Sequence, residues 1–302
     1  MSERLAVIVV NYASSGLLAT NLAQTAAELP DAAIVVVDNL STDAERQRAV
    51  AVCAEHAWTL LTPDANLGFG GGVNLGVRHA LAAGATAVLL LNPDATIDAA
   101  SVALLEAEID DGRLVAAAPR IVDSDGAVWF AGADLYLDDG TTRGRSRRGL
   151  HPDAPRREWL TGACVLVTDD AWEASGGFDE EYFLYWEDVD FSFRIVDAGG
   201  RLALVEAATA VHDEGGTQRA DAAPSRAKSS GYYYYNIRNR MLFATRHLDA
   251  DGVRRWRRGI LAQARAVLLR GGRRQFLSPW APLSAGWRGV RDARRIAATA
   301  RR

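Results

Sequence analysis

The 302-residue chain is 49% hydrophobic and 24% charged, which is the composition of an ordinary folded globular protein. A chain of this length can bury a substantial core, as one large α/β domain or as a domain with an appendage. Cys53 and Cys164 are the only cysteines, which argues against a disulfide framework and makes a reducing cytosol the expected compartment. The apolar run at 5–10 is too short for a signal peptide, and no stretch reaches the ~18 consecutive apolar residues of a membrane span. We therefore expect no integral membrane segment.

The net charge of −4 hides two segments of opposite sign. Residues 253–302 hold 14 arginines and one acidic residue, a balance of +13, whereas the remainder holds 20 basic and 37 acidic residues, a balance of −17. This asymmetry predicts an acidic catalytic body, residues 1–250, followed by a basic helical C-terminal extension, residues 251–302, that meets an anionic partner.

The first third of the chain alternates short apolar runs with helix-like segments. Runs rich in Val, Ile and Leu are typical of strands covered on both faces, as in a parallel sheet. Thr42 and Glu45 predict a capping box at the start of the second helix. The alternation predicts a doubly wound, Rossmann-like half through about residue 118. The predicted strands are 5–10, 34–37 and 88–91, and the predicted helices are 17–28, 43–56, 73–83 and 99–109.

Beyond Pro119 the regular alternation of apolar runs and helix-like segments ends. Residues 127–137 alternate imperfectly between two Asp-Gly turns and predict a hairpin, whereas 141–157, rich in Arg, Gly and Pro, predict an exposed loop. A buried strand is predicted at 159–168, and a helix at 187–198 that ends at the following pair of glycines. We expect 215–230 to be mobile, and the chain from 232 onward to be helical with a break at 278–282.

Polar residues follow three of the predicted strands, at Asn11-Tyr12, Asp38-Asn39 and Asn92-Pro93-Asp94. In open α/β sheets, ligands bind at the carboxyl ends of the strands. Any one of these sites alone could be a loop or a helix cap, but together they predict a polar rim on an apolar sheet. Asp38 could accept hydrogen bonds from a base or ribose, and the hard carboxylate oxygens of Asp94 suit Mg²⁺ or Mn²⁺.

Residues 66–74 predict a glycine-rich loop that opens a helix. Glycines allow the backbone to approach a diphosphate at a helix N-terminus, although a flexible strand-to-helix turn explains them equally well. No G-x-G-x-x-G register exists, because its third position falls on Val73 or Leu75, and a Walker lysine is absent because Lys228 is the only lysine. A nicotinamide dehydrogenase and a P-loop kinase therefore both lose support.

The segment from Trp186 to Asp190 contains three carboxylates and an indole in five residues. Acidic residues are common in the first turn of a helix, where the helix dipole favours them. The surrounding aromatic residues, however, predict a partly buried wall, in which desolvation raises the pKa of a carboxyl group toward neutrality. Such a shift would suit Asp188 as a general base. His212, at a predicted strand end, is interpreted equally well as a structural residue or as a metal ligand.

Taken in order, these motifs resemble the inverting, GT-A-fold glycosyltransferases of family 2, especially their rhamnosyltransferase-like and galactofuranosyltransferase-like branches. The resemblance runs from about residue 4 to 245. The ordered set of motifs is more specific for the family than any one motif alone. One departure is that the D-x-D element of the family stands here as Asn92-Pro93-Asp94, with a single acid. The matching segments are 9–12, 37–43, 66–74, 91–94, 161–163, 176–179, 186–190 and His212.

The resemblance implies a GT-A fold with a mainly parallel central sheet, and it implies roles for individual residues. Asp188 would be the general base, while Glu187 and Trp186 would shape the acceptor site, with Glu187 as the second catalytic candidate. Asp94 and His212 would hold a divalent cation, Mg²⁺ or Mn²⁺, that bridges the diphosphate. The residues assigned to the nucleotide sugar are Asn11, Tyr12, Asp38, Asn39, Asn66, Gly68, Gly70, Asn74, Asn92, Gly162 and Ala163.

The implied reaction transfers a sugar, with inversion, from a nucleoside diphosphate sugar to an acceptor hydroxyl. The branch favours dTDP-rhamnose, or else a UDP-sugar, as donor, and a glycan or lipid-linked acceptor in cell-envelope polysaccharide synthesis. Two alternatives stay open, namely a nucleotidyltransferase and a catalytically inactive module that binds sugar nucleotides. The first would be expected to carry a basic, glycine-rich loop after the first strand, and residues 11–16 contain no Lys or Arg.

Apolar residues alternate with many arginines in 253–302. This pattern predicts a helix lying on an anionic membrane, and hence a cytoplasmic enzyme in peripheral contact with the inner face of the cytoplasmic membrane. A solvated basic helix packed on the domain explains the pattern equally well. No base-stacking motif accompanies the arginines, so no nucleic-acid partner is expected.

Overall fold

The computed structural model of the protein describes residues 5–109, 113–212, 228–272 and 280–299. Within these ranges, no helix combines the length and the apolar character needed to cross a membrane. Residues 215–227, predicted to be mobile, and residues 278–279 of the predicted break lie outside the described ranges.

Twelve strands in the described ranges form a large sheet of nine strands and a small sheet of three. The large sheet has the order β3-β2-β1-β4-β11-β6-β12-β5, with β7 paired to β6, and the small sheet has the order β10-β8-β9. The strands are β1 Leu5–Asn11, β2 Ala33–Asp38, β3 Thr59–Leu61, β4 Ala87–Leu91, β5 Ala95–Ile97, β6 Val115–Val122, β7 Val128–Phe130, β8 Ala133–Tyr136, β9 Thr141–Gly144, β10 Arg156–Trp159, β11 Cys164–Thr168 and β12 Arg201–His212.

Helices pack against the strands of the large sheet, and the last four helices contact one another. Two short turns of 3₁₀-helix, Arg145–Leu150 and Glu180–Tyr182, and a π-helical turn, Leu18–Leu22, complete the described elements. The α-helices are α1 Ser15–Leu17, α2 Ala23–Glu28, α3 Asp43–Glu55, α4 Gly68–Ala82, α5 Ala99–Ile109, α6 Asp169–Ser175, α7 Glu187–Asp197, α8 Ser230–His247, α9 Ala250–Arg258, α10 Ile260–Leu269 and α11 Trp280–Thr299.

The α/β architecture predicted from the apolar runs is confirmed. Strands β3, β2, β1 and β4 are parallel neighbours; β1, β2 and β4 carry the predicted buried runs, whereas the short strand β3 was not predicted. Beyond β4 the sheet is mixed, because β11 lies antiparallel between β4 and β6, whereas β12 is parallel to β6. The polar residues at the ends of β1 and β2 share one edge, since Asn11 pairs with Asp38 in the register.

Half of the predicted capping box forms. The hydroxyl of Thr42 accepts a hydrogen bond of 3.2 Å from the backbone N–H of Glu45, as an N-cap should. The Glu45 carboxylate does not return to the cap and instead accepts a hydrogen bond of 2.5 Å from the Ser15 hydroxyl. This side-chain bond ties α3 to the first helical segment.

The prediction of a loop at 141–157 is wrong for residues 141–150, which form β9 and a 3₁₀-helix, and for residues 156–157, which begin β10, whereas the predicted exposure holds because none of these residues is buried. The buried carboxylate of Asp134 on β8 explains the difference, since Arg148 donates two hydrogen bonds of 2.6 Å to it. This ion pair holds the arginine-rich segment against the small sheet. The segment 127–137 is likewise not one hairpin, because the chain turns at Gly132 (φ 77°) and leaves the large sheet for the small one.

Helix α4 begins at Gly68, so the predicted glycine-rich loop is itself helical. The glycines let the helix lie directly on the sheet. A Cβ on Gly72 would come within 2.9 Å of Val10 Cγ1, and one on Gly76 within 2.6 Å of Ile8 Cγ2. Close packing therefore explains these two glycines.

Two hydrophobic cores form among the described residues. The first lies between the large sheet and its flanking helices, and the second joins α7 and α8 to α9, α10 and α11. Trp186, Val189 and Phe193 enter the second core from the α7 side, and Trp256 enters it from α9. The predicted boundary at residue 250 thus falls inside a single packed cluster.

Candidate active site

Asp94 and His212 come together at the edge of the large sheet, as predicted. Asp94 follows β4, and the next residues form the short strand β5, which pairs antiparallel with the end of β12, where His212 lies opposite Ala95. His212 Nε2 lies 3.1 Å from Asp94 Oδ1, and both side chains are largely buried. Two residues far apart in the sequence therefore form one polar site.

The chemistry of this pair fits a divalent cation. In the described part of the chain, no group of three His, Cys, Asp or Glu side chains could hold a metal ion. One carboxylate and one imidazole would leave most coordination positions to diphosphate oxygens and water, which is how Mg²⁺ commonly binds beside substrate phosphates. Neither ring nitrogen of the buried His212 makes a hydrogen bond of good geometry within the described ranges, which is consistent with a ligand role.

Trp129 is a site residue that sequence reasoning missed. Its ring centroid lies 4.5 Å from that of His212, and it stands on β7 at the same edge of the sheet. The only signal in the sequence was an aromatic pair in the strand after the Asp-Gly turn. Trp129 forms a partly exposed aromatic wall beside the imidazole.

Asp188 lies in the first turn of α7, half-buried, and is anchored by backbone donors. Its Oδ2 accepts a hydrogen bond of 3.3 Å from the N–H of Gly162, and its Oδ1 accepts one of 2.8 Å from that of Val189. The next residue, Ala163, accepts a hydrogen bond of 2.8 Å from the N–H of Asn92. The segment 162–163 therefore connects the helix turn that carries Asp188 to Asn92, two residues before Asp94.

Burial gives the two acids of this turn unusual pKa values. Desolvation raises the pKa of Asp188 to about 6, although the N–H groups of Gly162 and Val189 act in the opposite direction. The pKa of Glu187 is raised well above its ordinary value by burial and by the negative charge of Asp188. Asp188, whose pKa lies at about 6, is therefore the carboxylate of this pair that suits proton exchange near neutral pH.

Asp190, the third acid of the cluster, has a structural role. It accepts hydrogen bonds of 2.7 Å from Arg194 Nε and 3.2 Å from the Tyr182 hydroxyl, and His247 Nε2 lies 2.7 Å from it. Burial alone would raise the pKa of Asp190, but the bond with His247 and the charge of Arg194 together lower it. Asp190 thus stays ionised and holds α7 to α8.

The chain enters α7 through three non-glycine residues in the left-handed region. These are Phe183 (φ 62°), Tyr185 (φ 65°) and Trp186 (φ 79°). Such conformations cost of order 1–3 kcal/mol each, and they persist only where the surroundings hold them in place. Here the strained turn sets the position of Glu187 and Asp188.

The side chain that holds this turn is Asn239 of α8, and sequence reasoning missed this role. Its fully buried Nδ2 lies 2.8 Å from the carbonyl of Tyr182, 2.9 Å from that of Leu184 and 2.8 Å from that of Tyr185. No pattern in the sequence indicated the link, because the donor and its acceptors are separated by more than fifty residues. Asn239 is a positioning residue for the acidic turn.

Trp186 lies in the second core. Its side chain is 8% exposed, and its ring centroid lies 5.5 Å from that of Phe243 and 6.3 Å from that of Trp256. The burial gives no support to the predicted contact with an acceptor, which stays a prediction. The structure instead shows that the indole fixes α7 to the C-terminal helices.

Asp38, at the end of β2, is fully buried. Its Oδ1 accepts a hydrogen bond of 2.9 Å from Asn11 Nδ2, and its Oδ2 accepts one of 2.8 Å from Arg46 Nε. Arg46, which sequence reasoning missed, thus balances the charge of Asp38. Tyr12 is 48% exposed next to this cluster. Direct contact of Asp38 with a base or ribose stays a prediction.

Asparagine side chains shape the turn before α4. Asn39 donates a hydrogen bond of 2.7 Å to the carbonyl of Gly68 and accepts one of 2.8 Å from the N–H of Leu67, while Asn66 accepts one of 2.8 Å from the N–H of Gly68. Gly68 itself needs φ 75°, and a Cβ there would lie 2.3 Å from the carbonyl oxygen of Phe183. The turn therefore lies directly against the strained entry to α7.

The predicted turn at 176–179 packs over α4. Asn74 accepts a hydrogen bond of 2.9 Å from the N–H of Phe178 and donates one of 2.9 Å to its carbonyl. A Cβ on Gly70 would come within 3.2 Å of Phe178 Cβ. Asn74 and Gly70 thus fix this turn in place, and any contact with a nucleotide sugar stays a prediction.

Comparison with known proteins agrees with this geometry. Residues 6–162 match the family described as Glycosyl transferase family 2, and residues 87–290 match Glycosyl transferase family group 2. The chain is 32% identical, over 250 residues, to the N-acetylglucosaminyl-diphospho-decaprenol L-rhamnosyltransferase of Mycobacterium tuberculosis, covering 74% of this chain and 80% of that relative. It is 27% identical, over 252 residues, to the low-salt glycan biosynthesis hexosyltransferase Agl10 of Haloferax volcanii, covering 80% of this chain and 76% of that relative.

Among solved structures, the mannosyltransferase PcManGT from Pyrobaculum calidifontis, in complex with GDP-Man and Mn²⁺, has a TM-score of 0.57 at 17% identity, covering 98% of this chain and 86% of that one. The fold and the site edge together define a GT-A-fold glycosyltransferase. Within that class, the chain belongs to glycosyltransferase family 2, in the rhamnosyltransferase-like branch, which confirms the resemblance found in the sequence.

Proposed function

We propose that the protein is an inverting glycosyltransferase that moves a sugar from a nucleoside diphosphate sugar to a hydroxyl of a glycan or lipid-linked acceptor in cell-envelope polysaccharide synthesis. The observation that carries the proposal is Asp188, whose pKa is raised to about 6 and which is linked through 162–163 to the edge that holds Asp94 and His212. The name of the mycobacterial relative supports rhamnose as the transferred sugar and a lipid-linked diphosphate as acceptor. The proposed donor is accordingly dTDP-rhamnose, as the resemblance implies, with UDP-sugars as the second choice.

Asp188 would act as the general base. Its carboxylate takes the proton of the acceptor hydroxyl, whose oxygen forms a bond to the anomeric carbon from the face opposite the diphosphate. The bond from that carbon to the diphosphate breaks, the nucleoside diphosphate leaves with the electron pair, and the configuration inverts. A base is most effective when its pKa lies near the working pH. The raised pKa of the buried Glu187 disfavours a second negative charge beside the base.

Asp94 and His212 would hold the divalent cation, and that cation would offset charge on the leaving diphosphate. Support comes from the 3.1 Å pairing of the two side chains and from the Mn²⁺ in the archaeal mannosyltransferase structure. On the same edge, Trp129 would border the sugar, and the ring of Tyr12 would stack on the nucleobase of the donor.

A thermal-shift screen of dTDP-, UDP- and GDP-sugars, with and without Mn²⁺, tests the donor and the metal together. We expect one sugar nucleotide to raise the melting temperature only when Mn²⁺ is present, since ligand at a hundred times its Kd adds ~2.7 kcal/mol of stability. His212→Ala should abolish the Mn²⁺-dependent rise in melting temperature. The control His79→Ala, which changes an exposed histidine on α4, should leave that rise intact. Absence of any shift for all donors would contradict the proposal.

The pH dependence of kcat/KM tests the base. The proton acceptor must be ionised, so activity rises as pH increases through the pKa of Asp188, about 6, and falls roughly tenfold per unit below it. Measuring kcat/KM under subsaturating donor across this range should show that acid limb. A profile that stays flat well below pH 6 would remove Asp188 from the role.

We also propose that the C-terminal helices bring the enzyme to an anionic membrane surface. The support is the balance of +13 over 253–302 and the exposure of large apolar side chains on α11, where Trp280 is 82% exposed and Trp287 is 65% exposed. Exposed tryptophans next to arginines are typical of helices that lie in the membrane interface.

A further inference from the structure

Four arginines line one cavity on the C-terminal helices. Arg254, Arg257 and Arg258 of α9 and Arg294 of α11 surround a space of about 520 Å³. The two helices contact each other, and the opposite side of α9 is anchored in the second core by the fully buried Trp256. The arginines are therefore presented on a fixed scaffold.

The positive charge in this cavity is largely uncompensated. Arg254 forms an ion pair with Asp251, but Arg257, Arg258 and Arg294 form none within the described ranges. The acid on α11, Asp292, is already engaged by other arginines of its own helix. Like charges gathered in one cavity repel each other, and a bound anion relieves that repulsion.

Phosphate is the anion that this arrangement fits best. Guanidinium groups form paired, planar hydrogen bonds with phosphate oxygens, which favours phosphate where several arginines converge. Three unpaired cations match a diphosphate or a phosphate monoester better than a single carboxylate. The cavity volume of about 520 Å³ leaves room for such a group with water around it.

The apolar surroundings indicate that the phosphate is carried on a lipid. Arg294 lies seven residues after Trp287 on α11, which is two turns on the same helix face and a rise of ~10 Å. Leu283, one turn before Trp287, is also exposed on that face. Interfacial helices bury apolar side chains ~5–10 Å deep while their basic residues meet lipid phosphates.

We propose that the pocket formed by Arg254, Arg257, Arg258 and Arg294 binds the phosphate or diphosphate group of a membrane lipid, with Trp287 and Leu283 inserted beside it. This binding rests on the membrane contact proposed above, whereas the transfer chemistry at Asp188 does not depend on it. The pocket would hold the enzyme at the surface where a lipid-linked acceptor lies.

Sedimentation of the full-length protein with vesicles tests the pocket. Vesicles of phosphatidylcholine, with and without phosphatidylglycerol, are compared for wild type and for the pocket variant Arg257→Gln/Arg258→Gln/Arg294→Gln. The matched control, Arg255→Gln/Arg265→Gln/Arg288→Gln, removes the same charge from exposed arginines outside the cavity. We expect the pocket variant to bind the anionic vesicles at least about tenfold more weakly than the control, beyond the general loss of ~1 kcal/mol per arginine.

The outcomes separate the possible ligands. Equal losses of vesicle binding in the two triple variants would show that only net charge matters, and would overturn the proposal that the pocket binds a lipid phosphate. The pocket variant could instead lose binding of inorganic pyrophosphate in calorimetry but still bind anionic vesicles like the control. That result would assign the site to a free phosphate compound and would overturn the proposal of a lipid ligand. Both variants should keep the Mn²⁺-dependent stabilisation by donor, so a failure here is distinguishable from a failure of the proposed transferase reaction.

Discussion

Replacing Asp188 by asparagine should lower kcat by about 10²–10⁴-fold, the usual contribution of a general base, while binding of the nucleotide sugar stays unchanged. The amide has nearly the same shape as the carboxylate, and its single oxygen can still accept one of the two hydrogen bonds from Gly162 and Val189, so the turn should largely keep its geometry. It cannot, however, take a proton from the acceptor hydroxyl. Turnover is measured with saturating donor and acceptor, and donor binding is measured by thermal shift with Mn²⁺.

Asp197→Asn is the matched control for this variant. Asp197 ends the same helix and forms an exposed ion pair with Arg157, so its removal changes the same charge without touching the site. We expect near wild-type turnover from it, since exposed ion pairs contribute little to stability. If Asp188→Asn were as active as this control, the base would have to be another group. Loss of donor binding in Asp188→Asn would instead indicate a damaged fold.

Much of the N-terminal half could be predicted because its signals are local. Strands covered on both faces read as apolar runs, and the polar residue that follows each run lies at the sheet edge, as with Asp38 and Asp94. The pairing of Asp94 with His212 followed from resemblance and not from spacing. It depends physically on β5, a three-residue strand too short to be distinguished in the sequence.

The remaining features depend on contacts between distant residues, which composition does not reveal. Arg148 balances the buried Asp134, so an arginine-rich segment that looked solvated forms part of a sheet. Trp186 looked like part of an acceptor wall, yet Phe243 and Trp256, from helices much later in the chain, enclose it. The glycines before Val73 looked like a flexible loop, yet the close approach of Gly72 to Val10 on β1 favours a helix that packs directly on the sheet.

Replacing Asn239 by leucine should impair catalysis without changing any residue that touches substrate. Leucine has a similar size but no donor, so the carbonyls of Tyr182, Leu184 and Tyr185 all lose the Asn239 amide. The Tyr182 carbonyl keeps its hydrogen bond from the N–H of Leu184, and a buried polar group that loses its partner costs ~1–3 kcal/mol, so we expect a loss of ~1–3 kcal/mol in unfolding free energy. The strained turn would then relax away from the left-handed conformations that place Asp188.

A purely structural role and a positioning role for Asn239 differ in what the kinetics show below the melting temperature. If Asn239 positions the base, kcat falls by at least about tenfold with little change in donor KM, and the acid limb moves below pH 6 as Asp188 becomes more solvated. Asn236→Leu, on the same helix with one bond to the carbonyl of Tyr232, should leave both kcat and the profile near wild type. Asn239→Ser, which keeps one donor, provides a milder variant if leucine prevents folding. Its kcat should lie between that of Asn239→Leu and that of the wild type. A folded Asn239 variant with unchanged kcat and an unchanged acid limb would show that the amide stabilises the turn without setting the position of the base.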